Sequence, residues 1–447
     1  MPLELREVEE TPLADSLERL RTLVSPHTGI VGGAGRLLAA PDDIRLVSVY
    51  CETGEGGDVV GWPGTHPGNG SGRTAGEAFA AAVGEAAERY SACYTAESGA
   101  VVSSARELGA EAVAPERFAL YSELQHAGRR FPYARFTRDT RVAWVRASTL
   151  PSEEAAYLPA QLVYLAWRLL PGEARIGLAT SNGLAAHASA EEAVLRGLLE
   201  LLERDAFMIT WRARLSWPRL TWEGNARLED FERRYLHPTG IRVAAIDLSD
   251  VWSMPCAVGV ARSVAPGDAP LGVGAGAAAT VEAAVEKAVD EAVRVRSWAR
   301  TLRRRDPDGA RVRPPERIRR FDEHVAFYAR DENARRAGFL DAGEGRRHVR
   351  EVPQLEETGV RARIEAICAR LHGAGASAYA VDVTAPDVRD AGLRVVRVVA
   401  PELCPLDVEH ATRCLGGRRL YEVPRQLGVC AAVLSVEDLN PDPHPFP

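Results

Sequence analysis

Two stretches of the chain, 69–89 and 180–204, follow one pattern, and this repetition constrains the fold more than any other sequence feature. Each begins with a turn of small residues and continues into a predicted helix that carries the motif Glu-x-x-Glu-Arg. A pattern that recurs in this way indicates that one structural unit has been used more than once.

A second repetition relates residues 237–249 to residues 372–384. Each has a helix end, a glycine and an alternating strand that closes on Asp, and a further apolar strand follows at 255–261 and at 393–399. Helices alternating with strand pairs favour an α/β (α+β) fold with internally duplicated helix–strand–strand units. We expect one intertwined domain rather than independent ones.

Composition excludes several classes of protein. With 447 residues, 46% hydrophobic and 26% charged, the chain has the balance of an ordinary globular protein. Its net charge of -7 does not indicate binding to nucleic acid. The seven cysteines form no Cys-x-x-Cys pair, which favours a reduced, cytoplasmic protein. We predict no signal peptide and no membrane span.

The predicted organisation is an N-terminal helix and Gly-rich lead-in over residues 1–60, followed by one large domain over 61–447. Residues 1–24 predict a short amphipathic helix, and 44–51 a strand. Residues 300–350 are rich in Arg, which indicates a solvated helical surface or, alternatively, a face that binds a precursor.

The last ten residues, 438–447, form a proline-rich tail, with proline at every second position from 441 onwards. Proline fixes its own φ angle and restricts the residue before it, so the tail should be a stiff, extended rod. Such a rod could deliver the carboxylate of Pro447 to a fixed place. The alternative is a frayed terminus.

The repeated motif places carboxylates in pairs. Glu85 and Glu88 lie about 60° apart on a helix, as do Glu200 and Glu203, so each pair shares a face. Carboxylates on one face repel each other unless a cation or water screens them, and clustered carboxylates bind Mg²⁺. Glu192 is about 80° from Glu200 and either joins that face or acts as a first-turn charge. The alternative for each motif is a solvated stripe with local Glu–Arg pairs.

A further predicted helix, 281–300, carries Glu291 beside its apolar stripe. A carboxylate that flanks a buried face is a better metal-ligand candidate than one that points to solvent. The alternative is a surface pair between Glu291 and Lys287 or Arg294.

Other motifs argue against common nucleotide and nucleophile sites. The glycine-rich stretches 32–35 and 272–276 lack the P-loop pattern and are interpreted as turns or close-packing sites. No His or Cys grouping has metal-ligand spacing or resembles a nucleophile elbow, so conventional nucleophilic catalysis is unsupported.

Together these segments resemble the YcaO family, and within it the azoline-forming cyclodehydratases that modify ribosomally made peptides. The likeness covers residues 25 to 447. It is carried by 71–92, 180–205, 272–298, 399–403 with 417–420, and the Pro-x-Pro-x-Pro tail.

The resemblance implies ATP and Mg²⁺ as cofactors. Five residues are expected to hold Mg²⁺ against the phosphates: Glu85, Glu88, Glu200, Glu203 and Glu291. The nucleotide site is expected to be lined by Ser71, Ser181, Asn182, Glu192, Glu200 and Arg204. Arg204 and Pro447 are the expected catalytic residues, with the Pro447 carboxylate positioning substrate or aiding proton transfer.

The first motif departs from the family pattern. The family usually has Gly-Lys-Gly in the first motif, where this chain has Gly72-Arg73-Thr74. Arginine keeps the positive charge and can bind phosphate through two N–H groups, so we expect Arg73 to contact the nucleotide with altered geometry.

The activity implied by the resemblance is ATP-dependent conversion of Cys, Ser or Thr in a precursor peptide to thiazoline or oxazoline. A chain of this length is expected to lack a fused leader-binding domain. The implied partners are therefore the precursor peptide, a separate leader-binding protein, an FMN-dependent azoline dehydrogenase and a second copy of the chain. The alternatives are a YcaO enzyme that makes a thioamide or amidine, and a catalytically silent scaffold.

Overall fold

The computed structural model describes residues 3, 5–40, 43–55, 64–263, 265 and 268–446. The α-helices are α1 Leu13–Thr22, α2 Ala75–Cys93, α3 Ala105–Leu108, α4 Glu123–His126, α5 Ala160–Val163, α6 Ala190–Arg212, α7 Ala226–Phe231, α8 Val281–Arg305, α9 Phe321–Tyr328, α10 Asp331–Ala334, α11 Val360–Gly373, α12 Pro386–Asp390 and α13 Arg419–Gln426. The strands are β1 Val31–Leu37, β2 Val47–Thr53, β3 Pro67–Gly72, β4 Val101–Ser103, β5 Val142–Leu150, β6 Ala155–Pro159, β7 Leu184–His187, β8 Arg219–Thr221, β9 Arg242–Asp247, β10 Cys256–Arg262, β11 Leu271–Ala277, β12 Arg346–His348, β13 Ala378–Asp382 and β14 Arg394–Val399.

The chain forms two compact units, each assembled from separated segments. The first unit comprises Met1–Leu38, Leu46–Leu201 and Glu357–Glu402. The second unit comprises Ala39–Arg45, Leu202–Glu356 and Leu403–Pro447. The division falls inside α6, so this helix contributes residues to both units.

The first unit contains two sheets. One has the order β1-β2-β3, and the other has the order β4-β5-β13-β14-β7 with β6 paired to β5. Helix α2 packs on β2 and β3, where a Cβ at Gly68 or Gly70 would lie 2.0 or 2.1 Å from a carbonyl oxygen of α2. Only glycine allows the helix to approach the strand so closely. A capping box between Thr74 and Glu77 fixes the start of α2.

The second unit contains one sheet, in the order β11-β10-β9-β8-β12. Helix α8 packs on β11, where a Cβ at Gly274 or Gly276 would lie 2.6 or 2.2 Å from a carbonyl oxygen of α8. The Thr280 hydroxyl caps α8 by accepting a hydrogen bond from Ala283 N. The close-packing interpretation of residues 272–276 is confirmed.

The predicted helix–strand–strand echo is also present. Strand β9 pairs antiparallel with β10, and β13 pairs antiparallel with β14. Helix α11 leads into β13, and α7 with the following π-helical turn leads towards β9. The structure confirms these repeated units and the mixed α/β class.

Three local predictions are wrong. Residues 32–35 lie in β1 rather than in a turn, because they pair with β2 through the backbone, and their exposed glycines have no close neighbour. The N-terminal helix is only Leu13–Thr22, since the amides of Arg6 and Thr11 instead donate to carboxylates of α6. Residues 300–350 are not one solvated helical surface: α9 has buried residues, and β12 extends the second sheet.

Candidate active site

The first unit's carboxylates lie on α2 and on the N-terminal part of α6. Glu85 accepts hydrogen bonds from Asn69 N and Arg89 Nη2, each at 2.6 Å. Glu200 Oε2 accepts one from Gly183 N at 3.2 Å. Strand β3 and the turn before β7 therefore each direct a backbone amide at a glutamate of the helix that follows; the turn predicted from residue 69 is wrong, because residues 69–72 belong to β3. The Glu85–Arg89 contact is the local pair that the alternative reading of the motif predicted.

Glu88 lies in an unfavourable environment for a charge. Burial raises the pKa of Glu88 well above its usual value, and the negative charges of Glu200 and Glu85 raise it further. Arg89 and Arg397 act in the opposite direction but do not offset these effects. A carboxyl group with a raised pKa retains its proton at higher pH, and a bound cation would favour the ionised form.

Arg397 on β14 was not predicted from the sequence. Its buried guanidinium donates to Asn182 O at 2.7 Å and to Thr180 O at 2.6 Å. Burial lowers the pKa of Arg397 to about 10, while Glu200 and Glu88 act to raise it, so the group remains cationic at neutral pH. Arg397 thus supports the small-residue turn before α6 and offsets part of the carboxylate charge.

Glu203, in the second unit, is fully buried. Its Oε2 accepts hydrogen bonds from Ala277 N at 2.9 Å and Lys287 Nζ at 2.7 Å. Its Oε1 lies 3.7 Å from Arg204 Nη1 and has no hydrogen-bond partner among the described residues. Burial opposes ionisation of Glu203, but Lys287 and Arg204 outweigh it and lower the pKa. Glu203 is therefore a buried carboxylate with one oxygen available to a ligand.

Glu291 on α8 accepts a hydrogen bond from Ala275 N at 2.9 Å. Burial raises the pKa of Glu291; Arg204 lowers it, and Glu203 raises it. Lys287 donates a hydrogen bond to Glu203, and Arg294 donates one to Asp290, so neither hydrogen bond is made to Glu291; the alternative pair of Glu291 with these residues stays a prediction. The predicted position of Glu291 beside the apolar stripe agrees with the burial of Val281, Val285, Ala288, Ala292 and Val295.

Four predicted nucleotide-lining residues of the first unit lie on or just after β3 and in the turn before β7. Ser71 is on β3, and Arg73 is an exposed residue whose backbone N–H donates to Glu77 Oε2 at 2.7 Å. Ser181 and the buried Asn182 precede β7. Asn182 N donates to Thr180 Oγ1 at 3.3 Å. Their contact with a nucleotide remains a prediction.

Glu192 acts as a charged residue in the first turn of α6, which is the second of its two predicted roles. Its carboxylate accepts hydrogen bonds from Thr11 N and Thr11 Oγ1, each at 2.7 Å, and from Ser189 Oγ at 2.8 Å. Burial raises the pKa of Glu192, but the Thr11 hydrogen bonds outweigh it and the net shift is downward. Glu192 also lies about 12 Å from Glu200 along the helix axis. It anchors the N-terminal segment to the start of α6.

Arg204 lies against the proline-rich tail. Its guanidinium carbon is 4.1 Å from the centre of the Phe446 ring, a cation–π geometry. Phe446 is fully buried and contacts Phe207 at a ring-centre distance of 4.8 Å. Pro447, the other predicted catalytic residue, lies outside the described residues.

These carboxylates can supply some of the ligands of Mg²⁺ that binds together with a nucleotide. Within the described ranges, no three His, Cys, Asp or Glu side chains converge into a ready-made metal site. Mg²⁺ bound with ATP usually takes one or two protein carboxylates, and phosphate oxygens and water fill its other positions. The open oxygen of Glu203 and the raised pKa values of Glu88 and Glu291 suit that partial contribution.

The cysteines do not supply a competing site. All seven are free thiols, and burial raises the pKa of Cys51 to about 11 and that of Cys93 to about 12. Thiols with such values are protonated at neutral pH and are poor nucleophiles. None of the described helices has the length and apolar character that a membrane crossing requires.

The chain belongs to the YcaO family. The family's sequence profile, described as YcaO cyclodehydratase, ATP- and Mg²⁺-binding, matches residues 69–404, which is most of the chain. The predicted family and the predicted cofactors, ATP and Mg²⁺, are therefore confirmed. An uncharacterized protein of Methanothermobacter thermautotrophicus is 27% identical over 280 residues, which cover 61% of this chain and 69% of that protein.

Solved structures share the fold. A heterocyclase in complex with substrate and cofactor is 24% identical with a TM-score of 0.81; the match covers 100% of this chain and 59% of that one. YcaO from Methanopyrus kandleri, bound with AMPPCP and Mg²⁺, is 20% identical with a TM-score of 0.61, over 90% of this chain and 94% of that one. This chain thus spans about three fifths of the heterocyclase. These similarities confirm the predicted YcaO-type fold.

Proposed function

We propose that this chain is an ATP- and Mg²⁺-dependent cyclodehydratase that converts Cys, Ser or Thr of a ribosomal precursor peptide to thiazoline or oxazoline. The observation that carries the proposal is the set of glutamates in a YcaO chain: Glu88 and Glu291 with raised pKa values, and buried Glu203 with an open oxygen. Such an arrangement favours cation binding over a purely structural role.

The chemistry explains why ATP is needed. The side-chain sulfur or oxygen of the substrate residue attacks the preceding amide carbonyl and forms a tetrahedral adduct. The former carbonyl oxygen is a poor leaving group until ATP phosphorylates it; it then departs as phosphate, with ADP as the other product. The C–O bond breaks and a C=N bond forms. The protons of the amide and of the attacking thiol or hydroxyl are both lost, so the peptide loses the equivalent of one water per ring.

The chain's own residues have definable roles in this proposal. Glu85, Glu88, Glu200, Glu203 and Glu291 would hold Mg²⁺, which when bound neutralises charge on the transferring phosphoryl group. Arg204 would contact the phosphoryl group, and Arg73 with the 180–182 turn would contact the nucleotide. Pro447 remains the proposed general base.

Azoline formation is preferred to thioamide or amidine formation because of the proline-rich tail, a feature that accompanies azoline formation in the family. We also propose that a separate leader-binding protein presents the precursor, that an FMN-dependent dehydrogenase oxidises the azoline, and that the chain works as a cytoplasmic homodimer. The proposed domain limits are 1–60 and 61–447.

The test is incubation of the purified chain with ATP, Mg²⁺, a candidate precursor and its presenting partner, followed by mass spectrometry of the peptide. The expected result is loss of one water per event, matched by phosphate release. Glu203→Gln should abolish both, whereas Glu286→Gln, a half-buried residue of α8 that pairs with Arg227, should not. If the chain were a catalytically silent scaffold, the Glu203→Gln variant would yield as much modified peptide as the wild type. This outcome would refute the proposal.

A further inference from the structure

Residues 439–446 of the proline-rich tail are fixed in place although they form neither helix nor strand. Asn440, His444 and Phe446 are 1% exposed or less. Proline at alternate positions removes backbone N–H donors but leaves every carbonyl oxygen as an acceptor. Burial of such a segment therefore requires donors from elsewhere in the protein. The frayed-terminus alternative is wrong for the described tail residues.

Side chains of the second unit supply those donors. Four of the five carbonyl oxygens of residues 440–444 lie within hydrogen-bond distance of a side-chain nitrogen or hydroxyl. In order along the tail, Arg212 donates to Asn440 O, Trp211 to Asp442 O and Tyr328 to Pro443 O, and His324 Nδ1 lies 2.9 Å from His444 O. A row of contacts of this kind fixes both the path and the register of the tail.

Two of these donors come from one short helix. Tyr328 and His324 are four residues apart on α9, so they share a face. The Tyr328 hydroxyl is 2.5 Å from Pro443 O, and His324 Nδ1 is 2.9 Å from His444 O. Both side chains are buried, so an unmade hydrogen bond would leave a carbonyl oxygen without water or a partner.

The position of the tail affects the position of Arg204 through Phe446. The carbonyls held by α9 lie two and three residues before Phe446, whose ring sits on Phe207 and beneath Arg204. Arg204 and Phe207 are three residues apart on α6 and present one face to the ring. A shift of the tail would therefore displace the surface on which the Arg204 guanidinium rests.

We propose that His324 and Tyr328 are positioning residues that hold the tail so that Phe446 supports Arg204. This inference rests on the proposed function, because it takes Arg204 and the tail to act in the reaction. The two side chains touch neither substrate nor nucleotide in this proposal, and they act only through the tail.

Hydrogen exchange of the full chain, followed by mass spectrometry of its last peptide, tests the first part. Residues 440–446 carry only four amide hydrogens, those of Asn440, Asp442, His444 and Phe446. Tyr328→Phe keeps the ring and removes one donor, so exchange should accelerate about tenfold. His324→Leu should do the same, and His324→Asn, which can place a donor near the Nδ1 position, should restore part of the protection.

The matched control is Asp322→Asn, on the same helix, where Asp322 pairs with Arg320 at the surface. Its tail should exchange at the wild-type rate. Unchanged exchange in both Tyr328→Phe and His324→Leu would overturn the proposal whatever the activity of the protein.

The second part of the proposal is that the held tail supports Arg204 in the reaction. Steady-state kinetics with Mg²⁺-ATP test it, with phosphate release as the readout. Tyr328→Phe should lower kcat about tenfold and change KM for ATP less than twofold, because the defect lies in positioning and not in folding. Faster tail exchange with an unchanged kcat would overturn the positioning role. Absence of phosphate release by the wild type would instead refute the proposed function, and the exchange experiment would still decide whether α9 holds the tail.

Discussion

Glu85 and Glu291 occupy equivalent positions in two copies of one structural motif. Each lies on a helix that starts at a threonine cap, and each accepts a hydrogen bond from the strand amide sixteen residues earlier, Asn69 N or Ala275 N. The same carbonyl-to-glycine contacts hold each helix on its strand. Duplication of one motif has therefore given each unit a glutamate fixed by a strand.

The first prediction concerns the metal ligands. Glu291→Gln or Glu203→Gln removes a negative charge and should weaken Mg²⁺-dependent ATP binding about 10- to 100-fold. Glu286→Gln is the control, because its carboxylate pairs with Arg227. Isothermal titration with ATP, with and without Mg²⁺, checks this, and equal affinities for all variants would contradict the assignment.

A second prediction follows from the raised pKa of Glu88. At a pH above the folded-state pKa, the native protein holds a poorly solvated charge, so Glu88 destabilises it there; below the unfolded-state pKa this effect disappears. Glu88→Gln should therefore raise the free energy of unfolding at pH 8 and leave it unchanged at pH 4, while Mg²⁺ binding weakens. Urea unfolding at both pH values measures this, and an equal gain at pH 4 would be the contrary result.

A third prediction concerns acid stability. Burial lowers the pKa of His410 to about 3, so the unfolded state takes up a proton first as the pH falls below the ordinary value near 6.5. His410 should thus make the native state less stable by about 1.4 kcal/mol for each pH unit between those values. His410→Gln should flatten the urea-midpoint profile between pH 7 and 5, whereas the exposed His27→Gln should not. Parallel profiles for His410→Gln and wild type would contradict the assignment.

The glycines under α2 and α8 give a fourth prediction. A Cβ at Gly70 would lie 2.1 Å from Ala78 O and one at Gly276 would lie 2.2 Å from Ala284 O, so Ala at either site should destabilise the fold by about 1–3 kcal/mol. Gly84 in α2 has open space at its Cβ position, and Gly84→Ala should instead stabilise by about 0.5–1 kcal/mol. Thermal unfolding separates these outcomes; a stabilised Gly70→Ala would disprove the close packing.

The sequence predicted those parts of the site that depend on helix geometry alone. The paired faces of Glu85 with Glu88, and the flank position of Glu291, follow from the helical period, and the glycine packing of β11 follows from its spacing. The repeated patterns likewise indicated the duplicated units, because each repeat can be recognised from its own short stretch of sequence.

Other features depend on long-range pairing, which no local pattern reveals. Arg397 reaches the carboxylates through the pairing of β14 with β7, more than 200 residues away in sequence. Tyr328 and His324 hold the tail through contacts between residues 115 and 120 positions apart in sequence. Glu192 has the right angle for the carboxylate face, but hydrogen bonds from Thr11 hold it at the start of α6.

The central claim is that the chain uses ATP to activate a backbone amide oxygen. The most direct measurement uses a precursor peptide whose reacting carbonyl carries ¹⁸O, followed by mass analysis of the phosphate released. The account predicts that each ring formed transfers one labelled oxygen to phosphate. Phosphate that contains oxygen only from ATP and solvent, with the label retained in the peptide, would contradict it.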